Sequence, residues 1–247
     1  MSPPVRAGRG LGSLSASSPR QRRPGSGAWV LAVCLAVPSA CQCGKPTAPS
    51  EEGAGGARPE VALSPALVFL GDSLTAGFGL SEAQALPALI QQKVEAAHLP
   101  LRVVNAGRSG DTTAGGLARI DWYLKQSFDL RALIIGLGSN DAMRGLPLEE
   151  TERNLQQIIA RTRERKPNAK IFLWELKTFP NLGQAYAADY AAVFPRVAER
   201  ERVTLIPFPL EPVAAHPELN QSDGIHPNAE GTRLVADRVW VSLAPNL

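Results

Sequence analysis

Apolar residues in this chain gather in short runs separated by longer amphipathic stretches. The runs are Leu67–Leu70, Leu101–Asn105, Ala132–Leu137, Lys170–Trp174 and Val203–Ile206. Each is aliphatic or β-branched on successive residues rather than alternating, which predicts five strands covered on both faces. The intervening segments 84–97, 113–127, 148–166, 183–200 and 228–243 read as helices. The third places Leu148, Thr151, Leu155, Ile158, Ile159 and Thr162 at helical spacing, with Glu149, Glu150 and Glu152 early and Arg163, Arg165 and Lys166 late. That order complements the helix dipole. Pro195 is expected to kink or split the helix over 183–200, because it lacks the N–H that the ladder requires. Strand–helix alternation implies a parallel sheet, and right-handed crossovers make it doubly wound. The expected fold is therefore an α/β three-layer sandwich around a central, mainly parallel, five-stranded sheet. Ligands of such folds bind beyond the carboxyl ends of the strands.

The N-terminal part reads differently. Residues 1–27 are rich in Ser, Gly, Pro and Arg without periodicity, and Ala28–Val37 is a run of ten apolar residues. At about 1.5 Å per residue such a run is too short for a hydrocarbon core of about 30 Å. A basic region, a short apolar region and the small residues Ser39 and Ala40 describe an export signal over 1–41. Cys41, directly after them, resembles the lipidated cysteine of bacterial lipoproteins, although Pro38 stands where that motif carries an aliphatic residue. Lipid anchoring through Cys41 in the cell envelope and plain cleavage near Ala40, releasing a periplasmic or secreted protein, both stay open. Residues 42–61 form a Gly/Ala/Pro-rich flexible tether, and residues 62–247 a single domain without a second linker or repeat.

Composition sharpens this division. Hydrophobic residues make up 44% and charged residues 20%, enough to close a core. The formal charge of +3 rests on Arg6, Arg9, Arg20, Arg22 and Arg23, in a stretch with no acid. The remainder is close to neutral, which argues against a nucleic-acid partner. Cys34, Cys41 and Cys43 all precede residue 44. The domain thus has no internal disulfide, no cysteine-based zinc site and no cysteine nucleophile.

Candidate chemistry lies just after the predicted strands. Gly71-Asp72-Ser73-Leu74 follows the first, Asn105 to Thr112 the second, Gly138-Ser139-Asn140-Asp141 the third, and Asp223-Gly224-Ile225-His226-Pro227 the fifth. A serine hydrolase needs a nucleophile, a base, an orienting acid and donors aimed at an oxyanion. These four loops hold all of them at one rim of the sheet.

GDSL at 71–74, Gly110, GSND at 138–141 and DGIHP at 223–227 resemble the SGNH/GDSL hydrolases, most nearly their thioesterase I, lysophospholipase and arylesterase branch. The resemblance covers most of residues 65–243, with the blocks in the family's order. The G-x-S-x-G elbow of α/β-hydrolases is absent. The resemblance implies a flavodoxin-like SGNH fold and catalysis by Ser73, His226 and Asp223. It also implies an oxyanion hole from the Ser73 and Gly110 N–H groups and the Asn140 amide. Glycine at 110 would let substrate approach the backbone. Pro227 is expected at the first position of the following helix. The segment 142–147 would help set chain-length preference, with Met143, Leu146 and Phe179, and also Phe78 and Leu80, as candidate acyl-chain contacts.

The expected activity is hydrolysis of small esters, thioesters or lysolipids by an exported monomer without metal or cofactor. Asp223 and His226 lack the His or Cys partners of a metal site. Asp72 and Asp141 are expected to hold loops, His98 to be structural and His216 to lie near the catalytic turn. Arg108 and Arg144 would meet either solvent or an anionic head group. Two alternatives are a carbohydrate O-deacetylase of the same fold and a non-catalytic, lipid-anchored binding module.

Overall fold

In a computed structural model, which describes residues 64–178 and 182–247, five parallel strands form one sheet. They are β1 (Ala66–Gly71), β2 (Arg102–Gly107), β3 (Leu130–Gly136), β4 (Lys170–Trp174) and β5 (Thr204–Ile206), in the spatial order β2-β1-β3-β4-β5. The helices are α1 (Ser73–Ala76), α2 (Leu86–Ala96), α3 (Thr113–Leu124), α4 (Ser139–Met143), α5 (Leu148–Arg165), α6 (Gln184–Glu201) and α7 (Ala229–Leu243). Helices α3, α5 and α6 pack together, and α2 packs on α7, so the described residues form the expected α/β/α sandwich. The export signal and Cys41, the tether to residue 61 and Phe179 lie outside the described residues.

All six residues of β1 are buried, as a central strand requires. The edge strands differ from expectation. Arg102, Val103 and Val104 of β2 are half-buried, and Thr204 of β5 is exposed, because each edge strand has a neighbour on one side only. Helix α5 buries Thr151, Leu155, Ile158, Ile159 and Thr162, the face that its apolar spacing predicts. Helix α6 runs unbroken from Gln184 to Glu201 through Pro195, so of the two expected outcomes, a kink or a split, the split does not occur. Pro195 is exposed and Ala191, whose carbonyl loses the N–H donor, is only half-buried, so this face of the helix is open to water.

The chain leaves β1 toward β2 and returns to place β3 on the other flank of β1. This reversal opens a crevice at the carboxyl ends of β1 and β3. Three glycines floor the crevice side by side: Gly71 pairs with Gly107 across one ladder and with Gly136 across the other. A Cβ on Gly107 would lie 2.3 Å from the Ala76 nitrogen, and one on Gly71 would lie 1.9 Å from Thr75 Oγ1. Only a floor without side chains lets α1 settle onto the sheet end.

Candidate active site

Ser73 is the first residue of α1, a single turn that the sequence periodicity does not reveal. Asp72 caps it, its Oδ1 accepting the Leu74 N–H at 3.0 Å. Across the crevice, the turn 220–227 brings His226 over the serine, with Nε2 2.9 Å from Ser73 Oγ. On the other side of the ring, Nδ1 lies 2.7 Å from Asp223 Oδ2. Asp223 Oδ1 accepts the N–H groups of Ile225 and His226 at 2.9 and 3.0 Å. Those backbone donors, the His226 N–H foremost, hold the Asp223 carboxyl down at about 2. The three residues expected to act together thus form one hydrogen-bonded relay. Pro227 differs from expectation: α7 begins at Ala229 with Asn228 as its cap, so the proline precedes the helix.

Asn140 lies in α4 after β3 and is buried. Its Nδ2 donates to the Asp111 carbonyl at 2.9 Å and to Asp72 Oδ2 at 3.3 Å. With acceptors on both sides, the end of the amide facing the crevice loops must be the NH₂ group. The Asp111 side chain accepts from Arg119 Nε at 2.6 Å, and the same guanidinium donates to the Gly71 carbonyl at 3.0 Å. This ion pair fixes the loop carrying Gly110, whose φ of +77° favours glycine. The Gly110 carbonyl accepts from Arg144 at 2.7 Å, so Arg144 braces the loop. Neither the Ser73 nor the Gly110 N–H has a hydrogen-bond partner among the described residues.

Other candidates separate clearly. Asp141 accepts from the Thr113 N–H at 2.9 Å and from Thr151 at 3.3 Å, tying α4 to α3 and α5. His216 pairs with Glu218 at 3.2 Å, and Arg108 is exposed. Met143 lines a small cavity beside Ser73 and His226, together with Leu74, Lys177, Leu210 and Ile225. Half-buried Leu146 lies outside that lining, whereas Phe78 and Leu80 border a second, narrow apolar gap that Ser73 and His226 also line. The Phe78 ring sits 4.6 Å from the His226 ring, centroid to centroid. Among the described residues, no group of three or more His, Cys, Asp or Glu side chains could hold a metal. Sequence reasoning missed Asp111, Arg119, Lys177 and Gln221. Their roles depend on contacts between distant segments, and none stands in a recognisable spacing.

Asp72 carries the electrostatic tension of the site. Burial pushes its carboxyl up to about 6, partly opposed by the Leu74 N–H. A raised pKa means that the folded state binds this proton more tightly than the unfolded chain. The associated stability is present below about pH 4 and is lost as the pH rises through about 6. Asp72→Asn removes this dependence. Relative to wild type, the variant should gain about 2 kcal/mol between pH 4 and pH 7, at about 1.4 kcal/mol per unit difference between the folded and unfolded pKa. Denaturant unfolding at both pH values measures it, and a difference that stays constant with pH would refute it.

A parallel sheet with a serine, a histidine and a carboxylate in series at its switch point defines a class of α/β hydrolytic sites. Comparison with known proteins supplies the family. Residues 69–234 match the GDSL-like Lipase/Acylhydrolase family, and the chain belongs to it. It is 38% identical over 184 residues to Thioesterase 1/protease 1/lysophospholipase L1 of Escherichia coli (strain K12), covering 74% of this chain and 86% of the relative. It is 34% identical over 182 residues to an arylesterase of Vibrio mimicus, covering 73% of this chain and 89% of that protein. The crystal structure of TesA superposes with a TM-score of 0.70 at 36% identity, covering 74% of this chain and 99% of the other. The protein is a hydrolase acting on ester bonds.

Proposed function

We propose that this hydrolase cleaves carboxylic esters and acyl thioesters through a Ser73 acyl-enzyme. The observation that carries this reading is the unbroken Ser73–His226–Asp223 relay, at 2.9 and 2.7 Å. Ser73 Oγ attacks the acyl carbonyl carbon while His226 Nε2 takes the hydroxyl proton. The carbonyl π pair moves onto oxygen, and the Ser73 N–H, the Gly110 N–H and the Asn140 amide stabilise the resulting oxyanion. Collapse of this intermediate expels the alcohol or thiol, which receives the proton from His226. A water molecule, deprotonated by the same imidazole, then attacks the acyl-serine. The acid is released and the Ser73 hydroxyl regains its proton. Asp223 remains ionised throughout and supports the imidazolium.

The finer features follow the same reading. The acyl group lies against Met143, with the rest of 142–147 further along. The chain is exported by its signal over 1–41, is held to a membrane through Cys41, and works as a monomer. A fluorophosphonate probe should label wild type at Ser73 and leave Ser73→Ala unlabelled. Run beside it, p-nitrophenyl esters from acetate to palmitate should show turnover beyond acetate, with the chain-length profile displaced in Met143→Ala. Absence of Ser73 labelling would sink the mechanism. Turnover confined to acetate would favour a deacetylase, and an unmoved profile would remove Met143 from the acyl site.

A further inference from the structure

One hydrogen-bonded circuit closes around the serine–histidine pair, and two of its members have no part in the chemistry proposed above. The Ser73 carbonyl accepts from the Phe78 N–H at 3.1 Å. The Phe78 carbonyl accepts from Gln221 Nε2 at 2.7 Å, and the same nitrogen donates to the Pro227 carbonyl at 3.0 Å. The Gln221 N–H donates to the His226 carbonyl at 2.7 Å, and His226 Nε2 returns to Ser73 Oγ at 2.9 Å. Gln221 also accepts from the Gly224 N–H at 2.9 Å, closing the tip of the turn that bears Asp223.

From this circuit the geometry points to Gln221 as a positioning residue that sets the Ser73–His226 separation, an inference resting on the Ser73–His226 mechanism above. Serine and histidine stand 153 positions apart in the chain. The nucleophile's helix is anchored on the sheet, whereas His226 rides on a turn whose tip is exposed. Asp223 fixes His226 only within that turn, since both residues belong to it. A second tie must therefore relate the turn to the segment after the nucleophile, and the carboxamide of Gln221 makes it. Its two N–H bonds end on carbonyls of both parts, one at Phe78 and one at Pro227. The Phe78 ring, held by the same tie, packs against the imidazole face.

The neighbouring residue is shaped to admit this side chain. A Cβ at position 79 would stand 2.1 Å from Gln221 Oε1, and Gly79 has a φ of +73°. Any other residue there would be strained and would displace the carboxamide.

Gln221→Met keeps length and bulk while removing both donated bonds. It should lower kcat on p-nitrophenyl butyrate about tenfold to a hundredfold, the scale expected for displaced reacting groups, with KM within about threefold of wild type. The rate of fluorophosphonate labelling should fall in parallel. Gly79→Ala should produce the same split, and the double variant should be no slower than the slower single one, because both break one tie. The downfield proton resonance of the His226–Asp223 hydrogen bond should persist in Gln221→Met, since the bonds within the turn remain. If Gln221→Met does not fold, Gly79→Ala carries the test alone. In folded variants, a kcat within twofold of wild type, or a loss entirely in KM, overturns the inference. Ser73→Ala separates the two levels. Full activity there defeats the underlying mechanism, whereas an inactive Ser73→Ala beside a normal Gln221→Met defeats only the tie.

Discussion

Asp223→Asn is expected to lower kcat on an aryl ester by about 10⁴-fold while the fold and the turn stay intact. The two carboxylate oxygens hold separate tasks. Oδ1 accepts the Ile225 and His226 N–H groups, and Oδ2 faces His226 Nδ1. Asparagine can keep its oxygen on the two backbone donors, which preserves the turn and places its NH₂ group against Nδ1. Nδ1 must then accept, so the ring proton moves to Nε2, the atom that has to take the Ser73 proton. The base is thereby disabled without being displaced. His226→Ala should lose at least as much rate. Steady-state kinetics beside a thermal unfolding curve provides the check. A loss below about tenfold with native stability would mean that Asp223 does not set the tautomer.

Asn140→Ala is the second large effect, with kcat expected to fall about 10²- to 10³-fold and KM to change little. An oxyanion donor interacts mainly with charge that develops on the way to the transition state, so its removal leaves ground-state binding nearly unaltered. The amide is held at 2.9 Å by the Asp111 carbonyl and at 3.3 Å by Asp72. In the proposed mechanism the longer bond is exchanged for the oxyanion, while the shorter keeps the amide aimed. Asp111 is itself secured by Arg119, so pointing of this donor depends on an ion pair whose members lie 29 and 21 residues upstream of it. A loss confined to KM would remove Asn140 from the oxyanion site.

Much of the scaffold was legible in the chain. The unbroken apolar run through β1 identified a strand covered on both faces, and the spacing of Leu155, Ile158, Ile159 and Thr162 identified the buried side of α5. The blocks around Ser73, Gly110, Asn140 and His226 were visible because each follows a strand, where parallel folds collect their chemistry. Helices α1 and α4 escaped notice because four or five residues are too few to show a helical period. That Pro195 does not split α6 was not legible, because its cost depends on exposure, which local composition does not encode. The supporting residues were hidden for a related reason. Gln221, Asp111 and Arg119 act through partners brought close only by the sheet order, and a polar residue in a loop announces no such partner.

The row of Gly71, Gly107 and Gly136 also bears on how an enzyme of this design can change its substrate. The helix that begins at Ser73 rests on bare main chain, so even a methyl group added at Gly71 or Gly107 would lift it off its seat. Altering selectivity from below, by reshaping the floor, is therefore closed to this scaffold. The residues free to vary stand on the walls: Met143, Lys177 and Ile225 border the cavity with exposed side chains and do not carry the serine. A library aimed at new acyl groups should be drawn from those wall positions, with the glycine row left untouched.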